Sequence, residues 1–217
     1  MDLREALYTT RAMRRLKLDP VPLDVQARIL DAAVRAPSGG NMQNWRFLLV
    51  DDPATKASLA PLYRECMATV WSVYYADRVA AAAADPESVE NRRFLRMKAS
   101  ADHLTENFDR VSLLLFGFAL HDTSGGSIFP AIWSAMLAAR AEGIGAALTS
   151  ALVFRTDDVL AALGVPADEG WRMAACVTLG YPTGRWGVAE RVPAHEVAFR
   201  NRWGAAVGFE VDRPLWP

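Results

Sequence analysis

Arg35-Ala36-Pro37-Ser38-Gly39-Gly40-Asn41-Met42-Gln43-Asn44-Trp45 is the stretch on which the reading of this chain turns. It leaves an amphipathic helix, crosses a Pro-Ser-Gly-Gly turn and enters the apolar run Phe47-Leu48-Leu49-Val50. Gly39 and Gly40 permit torsions that other residues avoid, and small residues let a flat ligand come close to the backbone. Asn41 and Gln43 follow, two carboxamides that offer both donors and acceptors to the polar edge of a heterocycle. Taken alone, the stretch also reads as a plain helix-to-strand turn with ordinary polar residues. What separates these readings lies upstream and downstream.

Upstream, Arg11-Ala12-Met13-Arg14-Arg15-Leu16-Lys17 places four cations in seven positions, just before Pro20-Val21-Pro22. The prolines cannot continue a helix, so the basic cluster is pinned near an element boundary. Solvated charge is the usual explanation of such a run. Ala12, Met13 and Leu16 interleave with the cations, however, so part of the segment should touch the interior. Arginines held at such a boundary suit a phosphate, because guanidinium keeps its charge and offers a fork of donors. Residues 2–9 read as a short helix, and residues 23–36 as a longer one with Val25, Ile29, Leu30 and Ala33 at helical spacing.

Downstream, residues 46–50 read as the first strand, and Asp52 as the N-cap of a helix with Pro53 in its first turn. Residues 54–107 are mostly helical by propensity, broken at Asp85-Pro86-Glu87, with an aromatic patch at Trp71, Tyr74 and Tyr75. That patch is the ordinary stuff of cores and dimer interfaces, although an insert of this length can also build a lid or pocket wall. The nearly continuous apolar run Val111–Phe118 predicts a buried central strand. A helix from Pro130 to about Glu142 carries a small-residue face of Ala131, Ala135, Ala138 and Ala139. Ala146–Ser150 leads into a third strand, Asp157–Leu163 is a short helix, and Arg172–Leu179 is a fourth strand. The rest is loop-rich, and no linker divides the chain, so residues 1–217 read as one α+β domain with an extended C-terminal arm.

Composition bounds the function. The 217 residues are 52% hydrophobic and 23% charged, which is globular, and the net charge of −1 provides no global field to recruit nucleic acid or anionic membrane. The longest apolar run, Val111 to Leu120, is too short to span a bilayer. Cys66 and Cys176 stand far apart without CxxC spacing, which argues against a disulfide framework or a common zinc site and fits a reducing, cytoplasmic setting. The N-terminal residues lack the apolar core of a signal peptide. Of seven Trp, Trp171, Trp186, Trp203 and Trp216 fall late in the chain, where a lone tail would hardly bury them, which hints at a partner subunit.

Familiar catalytic motifs are missing. Gly143-Ile144-Gly145 follows a helix rather than a strand, and Leu148 stands where a third dinucleotide-binding glycine should be. There is no P-loop, HExxH or nucleophile elbow, and His103, His121 and His195 are isolated. Without an evident nucleophile, acid–base pair or metal set, catalysis would belong to an organic cofactor.

Arg11-Ala12-Met13-Arg14-Arg15, Pro20-Val21-Pro22 and Ala36–Phe47 together closely resemble the opening of the nitroreductase-like flavoproteins. Phe129-Pro130, Gly143-Ile144-Gly145 running into Leu148-Thr149-Ser150, Leu179-Gly180-Tyr181-Pro182 and Arg191 resemble that family's second half. The resemblance implies a central, mostly antiparallel sheet flanked by helices. It also implies a homodimer that binds FMN at the subunit interface and passes hydride from NADH or NADPH to a small-molecule acceptor, such as a nitroaromatic or quinone, by a ping-pong route. Carried over by position, Arg11 and Arg191 would meet the FMN phosphate, with Ala12 contributing backbone and Met13 belonging to the same cofactor-binding run. Arg14 would lie near the pyrimidine side of the flavin ring, where a cation stabilises the charge of the reduced form. Pro37, Ser38 and Gly39 would line the ring from the other subunit, Asn41 and Gln43 would hydrogen-bond the flavin or its ribityl chain, and Leu148, Thr149 and Ser150 would meet the ring edge. Four positions depart from the family: Ala12 replaces a common Ser, Asn44 replaces a frequent proline, and Trp133-Ser134 replaces Gln-Asn. The alternatives are a non-redox flavin binder, an enzyme using reduced FMN for another reaction, such as dehalogenation or flavin breakdown, and, more remotely, a dimeric interaction protein that has lost its cofactor.

Overall fold

Four strands, β1 (Trp45–Val50), β2 (Leu113–Ala119), β3 (Gly145–Thr149) and β4 (Arg172–Gly180), form a sheet in the order β1-β2-β4-β3, antiparallel at every pairing. The computed structural model describes residues 1–216. As the apolar run predicts, β2 is central and every residue in it is buried. The edges are β1 and β3, so the two halves of the chain's signature sit on opposite borders of the sheet.

Helices cover both faces. On one side α2 (Leu23–Ala33) packs against α6 (Ile128–Ala141), burying Val25, Ile29, Ala33, Ala131, Ile132, Ala135 and Ala139 over β2 and β4. The small-residue face of α6 allows this close approach. Gly117 is required by it, because a Cβ there would lie 2.8 Å from Ile132 Cδ1. On the other side α3 (Pro53–Thr69), α5 (Val89–Glu106) and α7 (Thr156–Ala162) enclose Leu59, Tyr63, Leu104, Phe108, Phe116 and Leu152. A π-turn, Val70–Tyr74, links α3 to α4 (Ala76–Ala84), and the break expected at Asp85–Glu87 separates α4 from α5. The short helix α1 (Leu3–Thr9) opens the chain.

Two helix boundaries differ from the sequence reading by two residues or more, each for a local reason. α2 stops at Ala33 rather than residue 36, its end tightened by bonds from the Arg35 and Ala36 N–H groups to the carbonyls of Ala32 and Ala33. The residue before Pro37 is driven out of the helical region by the proline ring. α6 starts two residues before Pro130, because the Asp122 carboxylate accepts the N–H groups of Ser127 (3.0 Å) and Ile128 (2.9 Å). Asp52 caps α3 as expected, accepting from Thr55 N–H at 2.7 Å.

Beyond Gly180 the arm contains no α-helix or strand among the described residues. Most of its late tryptophans are nonetheless packed within the chain. Trp171, just ahead of β4, lies under the Arg46 guanidinium, Trp186 lies under Arg140, and Trp216 meets Tyr8 at a ring distance of 5.9 Å. Trp203 alone of the four stands out, 91% exposed. No helix among the described residues is long and apolar enough to cross a membrane.

Candidate functional site

The basic segment forms a ribbon along the outer edge of β3. Ala12 bridges Ala146 in parallel, and Met13 N–H donates to the Ala146 carbonyl at 2.9 Å. On its other border Lys17 N–H donates to Tyr181 O (2.8 Å), and Thr183 N–H donates to Arg15 O (3.0 Å). Gly145 makes this fit possible, since a Cβ there would stand 3.0 Å from Met13 Cβ and 3.2 Å from Pro182 Cβ. The ribbon brings Arg11, Ala12, Met13 and Arg14 alongside Leu148, Thr149 and Ser150 at the open end of β3. Met13 is the pin: its N–H is taken by Ala146 and its side chain is 7% exposed.

Arg14 and Arg11 reach to different surroundings. Arg14 is half-buried beside Tyr63 of α3, and this burial draws its pKa down, with the charge of Tyr63 opposing. It takes part in no ion pair among the described residues, so its charge is left free for a ligand. Tyr63 was not foreseen from the sequence. Burial pushes its phenol up, while a hydrogen bond with Thr149 pulls the other way. Tyr63 is 2% exposed and stacks on Phe108 at 4.2 Å, so this neighbour of Arg14 and Thr149 is itself fixed by packing. Its position in the chain gave no signal, since one Tyr on a helical face reads as core. Arg11 is exposed and donates to the Arg185 carbonyl at 2.9 Å.

The Pro37–Gln43 segment lies at the other edge, ahead of β1. Gly39 N–H meets Ser127 Oγ (3.3 Å), Gln43 N–H meets Ser38 Oγ (3.1 Å), and the Gln43 amide donates to Asn41 Oδ1 at 3.1 Å. Gly40, Asn41 and Gln43 all adopt positive φ, at 58°, 54° and 51°. For Gln43 this backbone is strained, and strain of this kind persists where the surroundings enforce it, commonly at ligand-facing loops. Pro37, Gly39, Asn41 and Gln43 are exposed. Three strand spacings, about 14 Å, separate the β1 edge from the β3 edge. Within one chain the structure therefore does not bring this segment to Arg14 and Thr149.

Arg191 borders a cavity of about 620 Å³ between the end of α1 (Leu7, Tyr8, Thr10), Trp133 of α6 and the arm. Among the described residues its side chain donates only to the neighbouring Glu190 carbonyl, and like Arg11 and Arg14 it has no ion-pair partner there. Thr10, adjacent to Arg11, shares the cavity wall, so Arg191 approaches the Arg11 end of the ribbon. The thiols of Cys66 and Cys176 are 1% and 0% exposed and are pushed up by burial, which leaves them inert and unbridged.

A NADH dehydrogenase of Thermus thermophilus is 31% identical over 210 residues, spanning 91% of this chain and 95% of that protein. A 5,6-dimethylbenzimidazole synthase of Rhodospirillum rubrum is 31% identical over 179 residues, 82% of this chain and 81% of that protein. The crystal structure of oxidized iodotyrosine deiodinase bound to FMN and 3-iodo-L-tyrosine superposes with a TM-score of 0.69 at 21% identity, covering 88% of this chain and 95% of that one. These relatives are named for different chemistry, and the NADH dehydrogenase among them supports an oxidoreductase. The sequence pattern of the Nitroreductase family matches residues 7–181, which run from α1 through the end of β4, and the chain belongs to that family.

Proposed function

We propose that this chain is an FMN-dependent NAD(P)H oxidoreductase, active as a homodimer, that reduces small electrophiles such as nitroaromatics or quinones by alternating reduction and reoxidation. The observation that carries the reading is Arg14, a half-buried guanidinium beside the Leu148–Ser150 edge with no carboxylate to neutralise it. A cation held this way is matched to a ligand whose polar edge gains negative charge on reduction. Arg11 and Arg191, free of ion pairs near the end of α1, suit a phosphate dianion. Thr149, Ser150, Asn41 and Gln43 add neutral donors and acceptors of the kind a flavin ring and ribityl chain require. The residue set thus fits FMN. Bound there, FMN would supply the two-electron chemistry that the side chains lack.

The protein's own contribution is binding, orientation and charge. Tyr63 supports Thr149 and Arg14, and the tight fit at Gly145 fixes the ribbon that bears them. The homodimer is supported by the partition of the candidate residues between two sheet edges, which a second copy can close. Exposed Leu3 and Leu7 of α1 and exposed Phe129 and Trp133 of α6 offer apolar surface for it. Unbridged, buried thiols fit a cytoplasmic setting.

The equally similar benzimidazole synthase favours a second reading, in which FMN is reduced elsewhere and serves another reaction. Purified protein should be yellow or should bind added FMN with a perturbed visible spectrum, and NADH or NADPH should bleach it anaerobically. A colourless protein that leaves the FMN spectrum unchanged overturns both readings. Bound flavin that neither nucleotide bleaches selects the second.

A further inference from the structure

Arg140, in the last turn of α6, is a charged side chain only 6% exposed, and the reading above gives it no role. Its Nε donates to Thr9 Oγ1 at 2.8 Å and its Nη2 to Glu5 Oε1 at 3.3 Å, both on α1. The Thr9 hydroxyl proton is itself given to the Glu5 carbonyl at 2.6 Å, so its lone pairs are turned towards the guanidinium. The Cζ of the same guanidinium lies over the indole of Trp186 in the arm, 4.1 Å from the ring centre.

These contacts converge on the two segments that carry the candidate phosphate ligands. Thr9 closes α1 two residues before Arg11. Trp186 follows Arg185, whose carbonyl receives Arg11 Nη2 at 2.9 Å, and Ala189 N–H then donates to Tyr8 O at 2.9 Å, two residues before Arg191. Packing alone does not call for a buried charge here, because an apolar side chain of the same volume would fill the space without a desolvation cost. What guanidinium adds is two kinds of contact at once, edge donors towards α1 and a face for the indole.

We propose that Arg140 is a positioning residue for phosphate recognition: bridging Thr9 and Trp186, it sets the spacing between the Arg11 and Arg191 segments that lets both reach one phosphate. This rests on the FMN reading above. Since Arg140 acts through the phosphate end and not through the ring, its loss should separate FMN from riboflavin, which carries the same ring without phosphate.

The test is titration of flavin-free, full-length protein with FMN and with riboflavin, followed by flavin fluorescence, alongside thermal melts of each flavin-free variant. Wild type should prefer FMN. Arg140→Met and Trp186→Leu should each lose about tenfold or more in FMN affinity while riboflavin affinity holds within about twofold, matching Arg11→Ala as the benchmark. Arg140→Lys should also lose FMN affinity, because lysine keeps the charge but lacks the flat face and forked donors. Should Arg140→Met not fold, Trp186→Leu at its half-buried position carries the comparison. Equal losses for both flavins, or none for either, overturn the proposal. A wild type that binds neither flavin overturns the FMN reading and the proposal with it. One that binds both flavins equally removes the phosphate assignment while leaving a flavin site.

Discussion

Met13 donates its backbone N–H to the Ala146 carbonyl at 2.9 Å, and this bond fastens the arginine-bearing ribbon to the sheet edge that ends in Thr149. Everything on that side of the candidate site depends on how closely the ribbon lies against β3.

Gly145 sets that distance. A valine there would drive its side chain into Met13 Cβ, which belongs to the ribbon's own backbone turn and cannot swing aside. Gly145→Val should cost about 1–3 kcal/mol by overpacking and should weaken FMN binding even where the protein stays folded. Chemical denaturation and FMN titration on the same preparation check both effects. Unchanged binding in the folded variant would detach the ribbon from cofactor recognition.

Because the candidate groups divide between the β3 and β1 edges, each site of a homodimer would draw the ribbon from one subunit and the turn from the other. An Arg14→Ala chain mixed with an Asn41→Ala/Gln43→Ala chain should then recover activity that neither parent shows, since each mixed dimer holds one intact site and one doubly altered site. Differently tagged chains, purified as the mixed species, give the measurement. No recovery in a verified mixed dimer would place the whole site within one chain.

Gln43 holds φ at 51°, a torsion that favours glycine. Gln43→Gly should relieve the strain and raise stability by about 1 kcal/mol, while removing a carboxamide proposed to meet the flavin. Thermal melts should move up as FMN affinity moves down. A variant that gains no stability would show that the turn is not strained, and one that keeps its FMN affinity would remove the Gln43 carboxamide from the flavin contacts.

Arg28 joins α2 to α6 through a two-pronged contact with Glu142, at 3.0 Å and 2.9 Å, and its hydrogen bond holds the Glu142 carboxyl below its usual 4.5. A depressed carboxylate stabilises the fold above its unfolded pKa and loses that contribution as pH falls through the folded value. Wild type should therefore exceed Glu142→Gln in melting temperature near neutrality, by a modest margin for so exposed a pair, and the two curves should converge as pH falls through the lowered folded-state titration of Glu142. High salt should narrow the gap as well.

The sequence by itself determined the elements and the family. A nearly continuous apolar run at Val111–Phe118 marked the central strand, helical spacing marked α2, and the Arg11–Arg15 and Pro37–Trp45 motifs pointed to one family, because these signals are local and are written in neighbouring residues. The sequence could not place those motifs relative to one another. Strand order alone puts the glycine turn on the β1 edge and the arginine ribbon on the β3 edge, three strands apart. Tertiary packing also chose the partners that no motif announces: Tyr63 beneath Thr149 and Arg14, and Arg140 joined to Thr9 across 131 residues and to Trp186 across the arm. A lone Tyr or Arg on a helix carries no sign of what it will meet. Its role is settled only when the helix is laid against the sheet, where burial leaves a polar group few partners and makes each one costly to lose.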